Sequence, residues 1–522
     1  MSDIPNQTFL KESEQFFAPA STGVVDSLVA QYRKDRHRMT EISEMIGSDP
    51  CIKHFVEGNL QRSHMCMGNL FDMDGAVKHL NADYWSRALA LTDVLEIMNN
   101  DRRQEWRDLI RERKCPDFEE SAVRATLQDL LLSREKFFAE RVDGIFRNLS
   151  GEHVTNSPMG FRKRMIIANV HGAYSYSYRQ VGYISDLRVV IAKFMGREAP
   201  NHLDSKRIVD IALKNSGQWM KVDGGALRVR VYLKGTMHIE IHPDMAWRLN
   251  CVLAQLYPNA IPSEFRKKPE KRVKEFDLLQ RPLPFAVLDL LHNVRDVYER
   301  ANRVADSVKV RNAVEFDYTD RHSFARAQAE QVLESIGGVK VNDYYQFDYD
   351  PKFIIDEIVA SGCVPDHVSH QYYPTPENIA RDAIEMADIG DNDLCLEPSA
   401  GQGGLADFMP KDRTTCIEIS ELHCKILDAK GFNWILGDFL KTEFADKYDR
   451  VVLNPPYSQG RWQAHIEHAF KFLAADGVMV AILPASAKGK ELIKGARHEF
   501  SRVYENEFQG TSISVVIVKV RK

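Results

Sequence analysis

Residues Tyr448–Trp462 read YDRVVLNPPYSQGRW. A run of β-formers, Val451 to Leu453, halts at the polar Asn454 and then at Pro455 and Pro456, which neither a continuing strand nor a helix accepts. The backbone is fixed hard at that point, and an aromatic, Tyr457, stands at its tip. A strand that ends so abruptly presents polar groups beyond its carboxyl end, where an open parallel sheet binds its ligand.

The flanking sequence has the texture of such a sheet. DLCLEPSAGQGG (Asp393–Gly404) is a strand running into a Gly-rich turn, TTCIEIS (Thr414–Ser420) is a strand ending in an acid, and GVMVAILP (Gly477–Pro484) is a further strand. Strands alternating with helical stretches predict a mostly parallel, doubly wound α/β sheet over residues 371–522. The last stretch, NEFQGTSISVVIVKVRK, is long and extended and adds a hairpin or an antiparallel edge. In the first turn Gly401, Gly403 and Gly404 remove side chains where a cofactor must approach backbone. Glu418, closing the second strand, is placed to accept hydrogen bonds from a ribose hydroxyl pair. Taken alone, GQGGLA is also a loose match to an NAD fingerprint.

Five elements in order carry a more specific signal: YYPTPENIA (Tyr372–Ala380), LEPSAGQGG, IEIS, GDFL (Gly437–Leu440) and NPPY (Asn454–Tyr457). In them the last 150 residues or so resemble class I S-adenosylmethionine-dependent methyltransferases, with the Rossmann-like sheet of that class. The order is that of the gamma class of N6-adenine DNA methyltransferases. The resemblance implies that Thr375 lines the methionine end of S-adenosylmethionine and that Glu397, Ala400, Gly401 and Gly403 wrap its methionine and sugar portions. It implies that Glu418 holds the ribose, that Asp438 accepts from the adenine amine, and that Phe439 lies against the ring. Tyr373, Pro376, Pro398, Ile419 and Asn454 would adjoin the same cofactor. The lesser alternatives are simple core for Phe439 and a salt-bridge partner for Glu397.

The same resemblance gives NPPY its chemistry. An aryl amine such as adenine N6 is a poor nucleophile because its lone pair is delocalised into the ring. Acceptors on both amine hydrogens favour a pyramidal nitrogen with a directed lone pair. Asn454 can supply a side-chain oxygen, and Pro455, lacking an N–H, presents its carbonyl on a fixed φ. Pro456 completes the rigid stop, and Tyr457 offers a face to an adenine flipped out of double-stranded DNA. Positioning does most of the work and no general base needs to act first. A cytosine C5 reaction would need a cysteine nucleophile here, and none is present. Trp462 and Phe508 are candidates for the second face of the base, although core packing accounts for either.

Upstream, residues 1–149 predict amphipathic helices: Val25, Leu28, Val29, Tyr32, Met39, Ile42 and Ile46 recur at helical steps, and Ala122–Phe146 repeats the pattern. Residues 150–258 predict a small α+β domain, with ALRVRVYLKGTMHIEIH (Ala226–His242) a hairpin turning at Lys234-Gly235. The stretch from Leu149, LSGEHVTNSPMGFRKRMI, together with that hairpin, resembles a domain of unknown function found beside methyltransferase domains in phage, plasmid and bacterial proteins. Arg162, Lys163 and Arg164 are either phosphate contacts or a solvated turn. Residues 259–284, rich in proline and charge, predict a linker or basic arm, and 285–370 a helical connector.

Composition sets the outer limits. The chain has 522 residues, 27% of them charged, a net charge of -5 and eight cysteines, with a mean hydropathy of -0.36. That argues for two to four domains of a globular, cytoplasmic protein with free thiols, no membrane partner and no metal ligand cluster; the resemblance to DNA methyltransferases implies a bacterial, nucleoid-associated one. Net acidity leaves room for a local basic groove, because only the face that meets phosphate must be positive. Gamma-class enzymes usually carry target recognition after NPPY, and only residues 458–522 follow here. Recognition would then fall to the first 370 residues or to a separate restriction or recognition subunit. Two alternatives remain open: N-methylation of RNA or of a protein glutamine by the same site, and a DNA-binding regulator whose methyltransferase domain only senses the cofactor.

Overall fold

The computed structural model describes residues 22–48, 51, 54, 72–92, 94–149, 155–171, 178–269, 278–279, 282–300, 307–317, 324–364, 374–443, 447–457, 460–505, 507–508 and 513–522. The chain divides into two compact units, residues 1–282 and 283–522.

The first unit opens with helices α1 (Thr22–Ser48), α2 (Met73–Ala90), α3 (Val94–Ile97), α4 (Asn100–Arg111), α5 (Glu120–Leu132) and α6 (Arg134–Arg147). Tyr32 of α1 packs on Tyr84 of α2 and on Phe118, with ring centroids 5.3 and 5.1 Å apart. Buried Asn81 accepts from the Tyr32 hydroxyl at 2.6 Å, so the polar tip of that aromatic core is satisfied. The periodic run from Ala122 to Phe146 is two helices, not one, broken at Ser133 (φ -86°, ψ 2°). Ile42, read as part of the apolar stripe, is 46% exposed.

Beyond these lie β1 (Arg164–Ile167), α7 (Tyr178–Phe194), α8 (His202–Lys214), β2 (Met220–Val222), β3 (Leu227–Val231), β4 (Met237–Ile241) and α9 (Pro243–Leu256). The strands pair antiparallel in the order β1-β4-β3-β2. The β3–β4 hairpin turns through Gly235, whose φ of +87° and closeness to the His171 carbonyl exclude a side chain. The division expected at 149/150 falls inside this unit. Helix α6 packs on α7 and α9, and Phe146 meets Phe161 at 5.3 Å across the turn. Turn formers there change the local texture without separating two cores.

The second unit begins with α10 (Phe285–His292), β5 (Arg295–Arg300), β6 (Ser307–Glu315), α11 (Phe324–Ser335), β7 (Val339–Val341), β8 (Tyr344–Gln346) and α12 (Lys352–Ser361). The helical connector expected over 285–370 is therefore corrected: it holds a four-stranded antiparallel sheet in the order β5-β6-β8-β7. In β5 the one buried apolar side chain is Val297, set among charges, and β7 and β8 have three residues each. Such strands are too short and too polar to show a period of two.

The main sheet comprises β9 (Cys395–Glu397), β10 (Thr414–Glu418), β11 (Asn433–Leu436), β12 (Tyr448–Leu453), β13 (Leu473–Pro484), β14 (Arg497–Tyr504) and β15 (Val515–Arg521). Helices α13 (Glu377–Ala387), α14 (Glu421–Lys430) and α15 (Arg461–Lys471) accompany it. The strand order is β11-β10-β9-β12-β13-β15-β14. Neighbours from β11 to β13 are parallel, and β15 runs antiparallel to both β13 and β14. The terminal strand is thus inserted beside β13, and the edge belongs to β14. Alternation along β13 covers both faces: Met479, Ala481 and Leu483 cluster with Trp462, Ile466 and Ala469 of α15, whereas Val478, Val480 and Ile482 cluster with Ile379, Ala380 and Ala383 of α13. The chain runs β9, β10, β11 outward and then crosses to β12, so strand order reverses between β9 and β12, the place where such sheets bind ligands.

Candidate cofactor and amine site

At or just past the carboxyl ends of β11, β10, β9 and β12 stand Asp438, Glu418, Glu397 and Asn454, in that spatial order. Neighbouring strands lie about 4.8 Å apart, so this polar row spans about 14 Å. A cavity of about 610 Å³ opens along it. Of the residues expected at the site, Thr375, Glu397, Pro398, Ala400, Gly401, Glu418, Ile419, Asp438, Phe439, Asn454, Pro455, Pro456 and Tyr457 line the cavity. Two do not. Pro376 precedes α13 with extended backbone (φ -59°, ψ 140°), where a proline suits a helix start. Gly403 has φ +86°, and a Cβ there would stand 3.2 Å from Leu427 and 3.4 Å from Phe432, so it is glycine because the loop presses on the core beneath it. Tyr373 lies outside the described residues. Gly403→Ala is expected to destabilise the second unit by about 1–2 kcal/mol, the cost of a left-handed non-glycine residue, read as a lowered midpoint of thermal unfolding.

The two glutamates at the strand ends are set up differently. Glu418 accepts from the Gly401 and Ser420 N–H groups, each at 2.8 Å, and lies 3.7 Å from His423 Nδ1. Burial alone would raise its pKa, but those hydrogen bonds and His423 outweigh burial and hold the carboxyl below the ordinary glutamate range. Glu397 is 2% exposed, and its Oε2 has no hydrogen-bond partner among the described residues. Burial, with the nearby carboxylates Asp407 and Glu418, pushes its pKa well above the ordinary value. Glu397 also lines the cavity, and an orphaned, buried carboxyl oxygen beside one is a position waiting for a donor. Asp438 accepts from the Leu440 N–H at 3.2 Å and pairs with Lys441 at 2.7 Å, which lowers its pKa. Phe439 lines the cavity and joins the core beneath.

At the NPPY end the side chains interlock. Asn454 Nδ2 donates to Thr375 Oγ1 at 3.1 Å, and the Tyr457 hydroxyl donates to Asn454 Oδ1 at 2.9 Å, with the Ile482 carbonyl 3.3 Å away. These contacts orient the amide, oxygen toward Tyr457 and nitrogen toward Thr375. A carbonyl oxygen has two lone pairs, so Asn454 Oδ1 keeps one for a further donor. Trp462 is buried in the core and does not line the cavity, whereas Phe508 does.

Sequence reasoning missed Ser399, Gln402, Arg461 and His465. His465 lines the cavity, its Nδ1 lies 3.3 Å from Ser399 Oγ, and its ring lies 5.6 Å from that of Phe439. Burial, against a weaker pull from Asp438, pushes its pKa down to about 4, so it is neutral near pH 7. The available signal was spacing: Arg461 and His465 each precede a core residue of α15, Trp462 and Ile466. Gln402 donates to the Ser335 carbonyl at 2.6 Å, tying the Gly-rich loop to the end of α11. No His, Cys, Asp or Glu cluster among the described residues could hold a metal ion, and no described helix is long and apolar enough to cross a membrane.

The donor set fits S-adenosylmethionine: an orphaned carboxyl at Glu397, an ionised one at Glu418, a half-exposed acid at Asp438 and an aromatic wall at Phe439. Comparison with known proteins gives two results. Residues 77–259 match the family described as a domain of unknown function, DUF4942, so that match runs across the division expected at 149/150. Solved structures with similarity include TrmN of Thermus thermophilus (15% identity, 28% of this chain and 48% of that one, TM-score 0.24). They include a dimethyladenosine transferase of Plasmodium falciparum (18% identity, 29% and 63%, TM-score 0.25). They also include the N-methyltransferase NodS of Bradyrhizobium japonicum, solved with S-adenosyl-L-homocysteine (14% identity, 28% and 86%, TM-score 0.24). The chain spans about half the length of TrmN.

Proposed function

We propose that the second unit is an S-adenosylmethionine-dependent methyltransferase with a Rossmann-like sheet, and that its substrate is the N6 amine of adenine in double-stranded DNA. The observation that carries this reading is the oriented Asn454 amide beside Pro455, at a strand end that opens into the same cavity as Glu397, Glu418 and Asp438. S-adenosylmethionine, when bound, supplies an electrophilic methyl group. Glu397 would hold a cationic or donor group of the cofactor, Glu418 a hydroxyl pair, Asp438 an amine, and Phe439 a ring face.

The chain's own contribution to the chemistry is acceptor geometry. Asn454 Oδ1 and the Pro455 carbonyl accept the two amine hydrogens and draw the nitrogen away from planarity. Tyr457 gives the extruded base a stacking surface. His465, neutral near pH 7, adds no competing charge. A separate recognition or restriction subunit could supply sequence choice.

The test is incubation with tritiated cofactor and duplex DNA, followed by nucleoside analysis. The expected product is labelled N6-methyladenine in DNA. Label found in RNA or in a protein instead would move the substrate to another class, and absence of label in all three with cofactor bound would leave a sensor, not an enzyme.

A further inference from the structure

One face of the four-stranded sheet in the first unit is basic. Strand register puts Arg164 opposite Glu240, Glu240 opposite Arg228, and Arg228 opposite Lys221, so these four side chains share one face as a row across all four strands. Arg230 stands on the same face one rung along, two residues from Arg228 in β3. Among the strand residues of this face cations outnumber carboxylates four to one. The opposite face carries Met165, Val229, Ile239 and their neighbours, all buried. Arg164 is 44% exposed, while Lys221, Arg228 and Arg230 are partly exposed. Arg230 Nε has no hydrogen-bond partner among the described residues.

Two of these cations are held in place. The guanidinium groups of Arg164 and Arg230 lie 5.2 and 4.6 Å from the centre of the Trp219 ring. Arg164 also donates through Nε and Nη2 to Glu240 at 3.1 and 2.6 Å. Charges braced on a rigid aromatic lose little freedom when they meet an anion. The bracing also selects the partner. Trp219 already carries guanidinium groups, so it is not a bare platform for unstacked bases, which is what single-stranded nucleic acid requires. A row three strand spacings wide covers about 14 Å, a length over which duplex DNA presents roughly eight phosphates.

We infer that this face, the row Arg164–Glu240–Arg228–Lys221 with Arg230, binds the phosphate backbone of duplex DNA. It gives the DUF4942 region a role in holding the polymer substrate, and the choice of DNA over other polyanions rests on the proposed adenine-methylating function. The contact is to backbone charge, so it confers affinity and not sequence choice.

The experiment is fluorescence anisotropy of the full chain with a labelled duplex over a range of NaCl concentrations, for the wild type, the triple variant K221A/R228A/R230A and the single variant E240Q. Each lost phosphate contact lowers the slope of log affinity against log salt by about 0.9, so the triple variant is expected to lose between two and three units of slope. E240Q, which keeps an acceptor for Arg164 but removes the row's carboxylate, is expected to bind duplex several-fold tighter. Misfolding cannot produce that gain, so E240Q decides the matter if the triple variant is unstable. An unchanged slope in a folded triple variant overturns the surface. So does E240Q binding no tighter than wild type, or a preference for single-stranded DNA or RNA of equal length. Methyl transfer by the wild type is scored separately. DNA methylation with variant binding unchanged sinks only this surface, whereas slope loss without DNA methylation sinks only the reading of the substrate.

Discussion

Asn454→Ala is expected to lower turnover by about 10²–10³, the usual cost of deleting one oriented polar group at a reacting centre, while the cofactor dissociation constant changes little. The asymmetry follows from where the side chain is anchored. Its nitrogen is held by Thr375 and its oxygen by Tyr457, and Glu397, Glu418 and Asp438 remain to bind cofactor. Single-turnover rates and calorimetric titration separate the two effects. Loss of cofactor binding along with activity would show that Asn454 is a cofactor ligand first and an amine acceptor second. Tyr457→Phe gives a finer cut. It keeps the ring but removes the donor that fixes Asn454 Oδ1, so turnover should fall by roughly fivefold, equivalent to about 1 kcal/mol for one hydrogen bond, with KM little altered. If stacking is all that Tyr457 contributes, Phe will match the wild type.

Much of this site is legible in the sequence because it depends on backbone. Residues that end a strand, turn a loop or remove an N–H announce themselves by type, and NPPY and the Gly-rich turn do all three. What the sequence hides is how side chains are shared between neighbours. GQGG gives no hint that Gln402 reaches the Ser335 carbonyl or that Gly403 presses on the core beneath the loop. The run after NPPY shows a helix, yet the position of His465 depends on how α15 is rotated, which its apolar residues reveal only when read against the sheet. The region from 285 to 364 misleads for a different reason. β7 and β8 have three residues each, β5 is mostly charged, and the nine-residue β6 joins β8 about thirty residues on, so cross-strand partners make the sheet and no clear apolar alternation marks it. The 149/150 boundary misleads in the opposite sense, since a conspicuous change of texture there coincides with continuous packing of α6 on α7 and α9.

Glu397→Gln is expected to make the cofactor-free protein more stable and the cofactor weaker in binding, both through one oxygen atom. The carboxyl is buried, its Oε2 is orphaned, and its pKa stands well above the ordinary value because burial and the Asp407 and Glu418 carboxylates oppose ionisation. The sign follows from proton counts. Between the ordinary glutamate pKa and the raised one the unfolded chain has released its proton and the folded chain keeps it, so stability falls as pH rises through that window. Below the window both states are protonated and the penalty vanishes. Gln carries no proton to release and can still accept from the Ala406 N–H that now serves the carboxyl. The variant should therefore match the wild type near pH 4 and unfold at a higher temperature at pH 8, by at least 2–4 °C, roughly the response of a unit this large to about 1 kcal/mol. The same exchange should weaken cofactor binding by about tenfold or more, since a charge-assisted hydrogen bond to a cation becomes a neutral one. Wild-type affinity should in turn rise with pH across the window, because the cation needs the ionised carboxyl. Scanning calorimetry and cofactor titration at the two pH values check both halves. A variant less stable than wild type at pH 8 would mean that Oε2 already has a donor within the folded chain. Unchanged cofactor affinity would mean that its donor is not the cofactor.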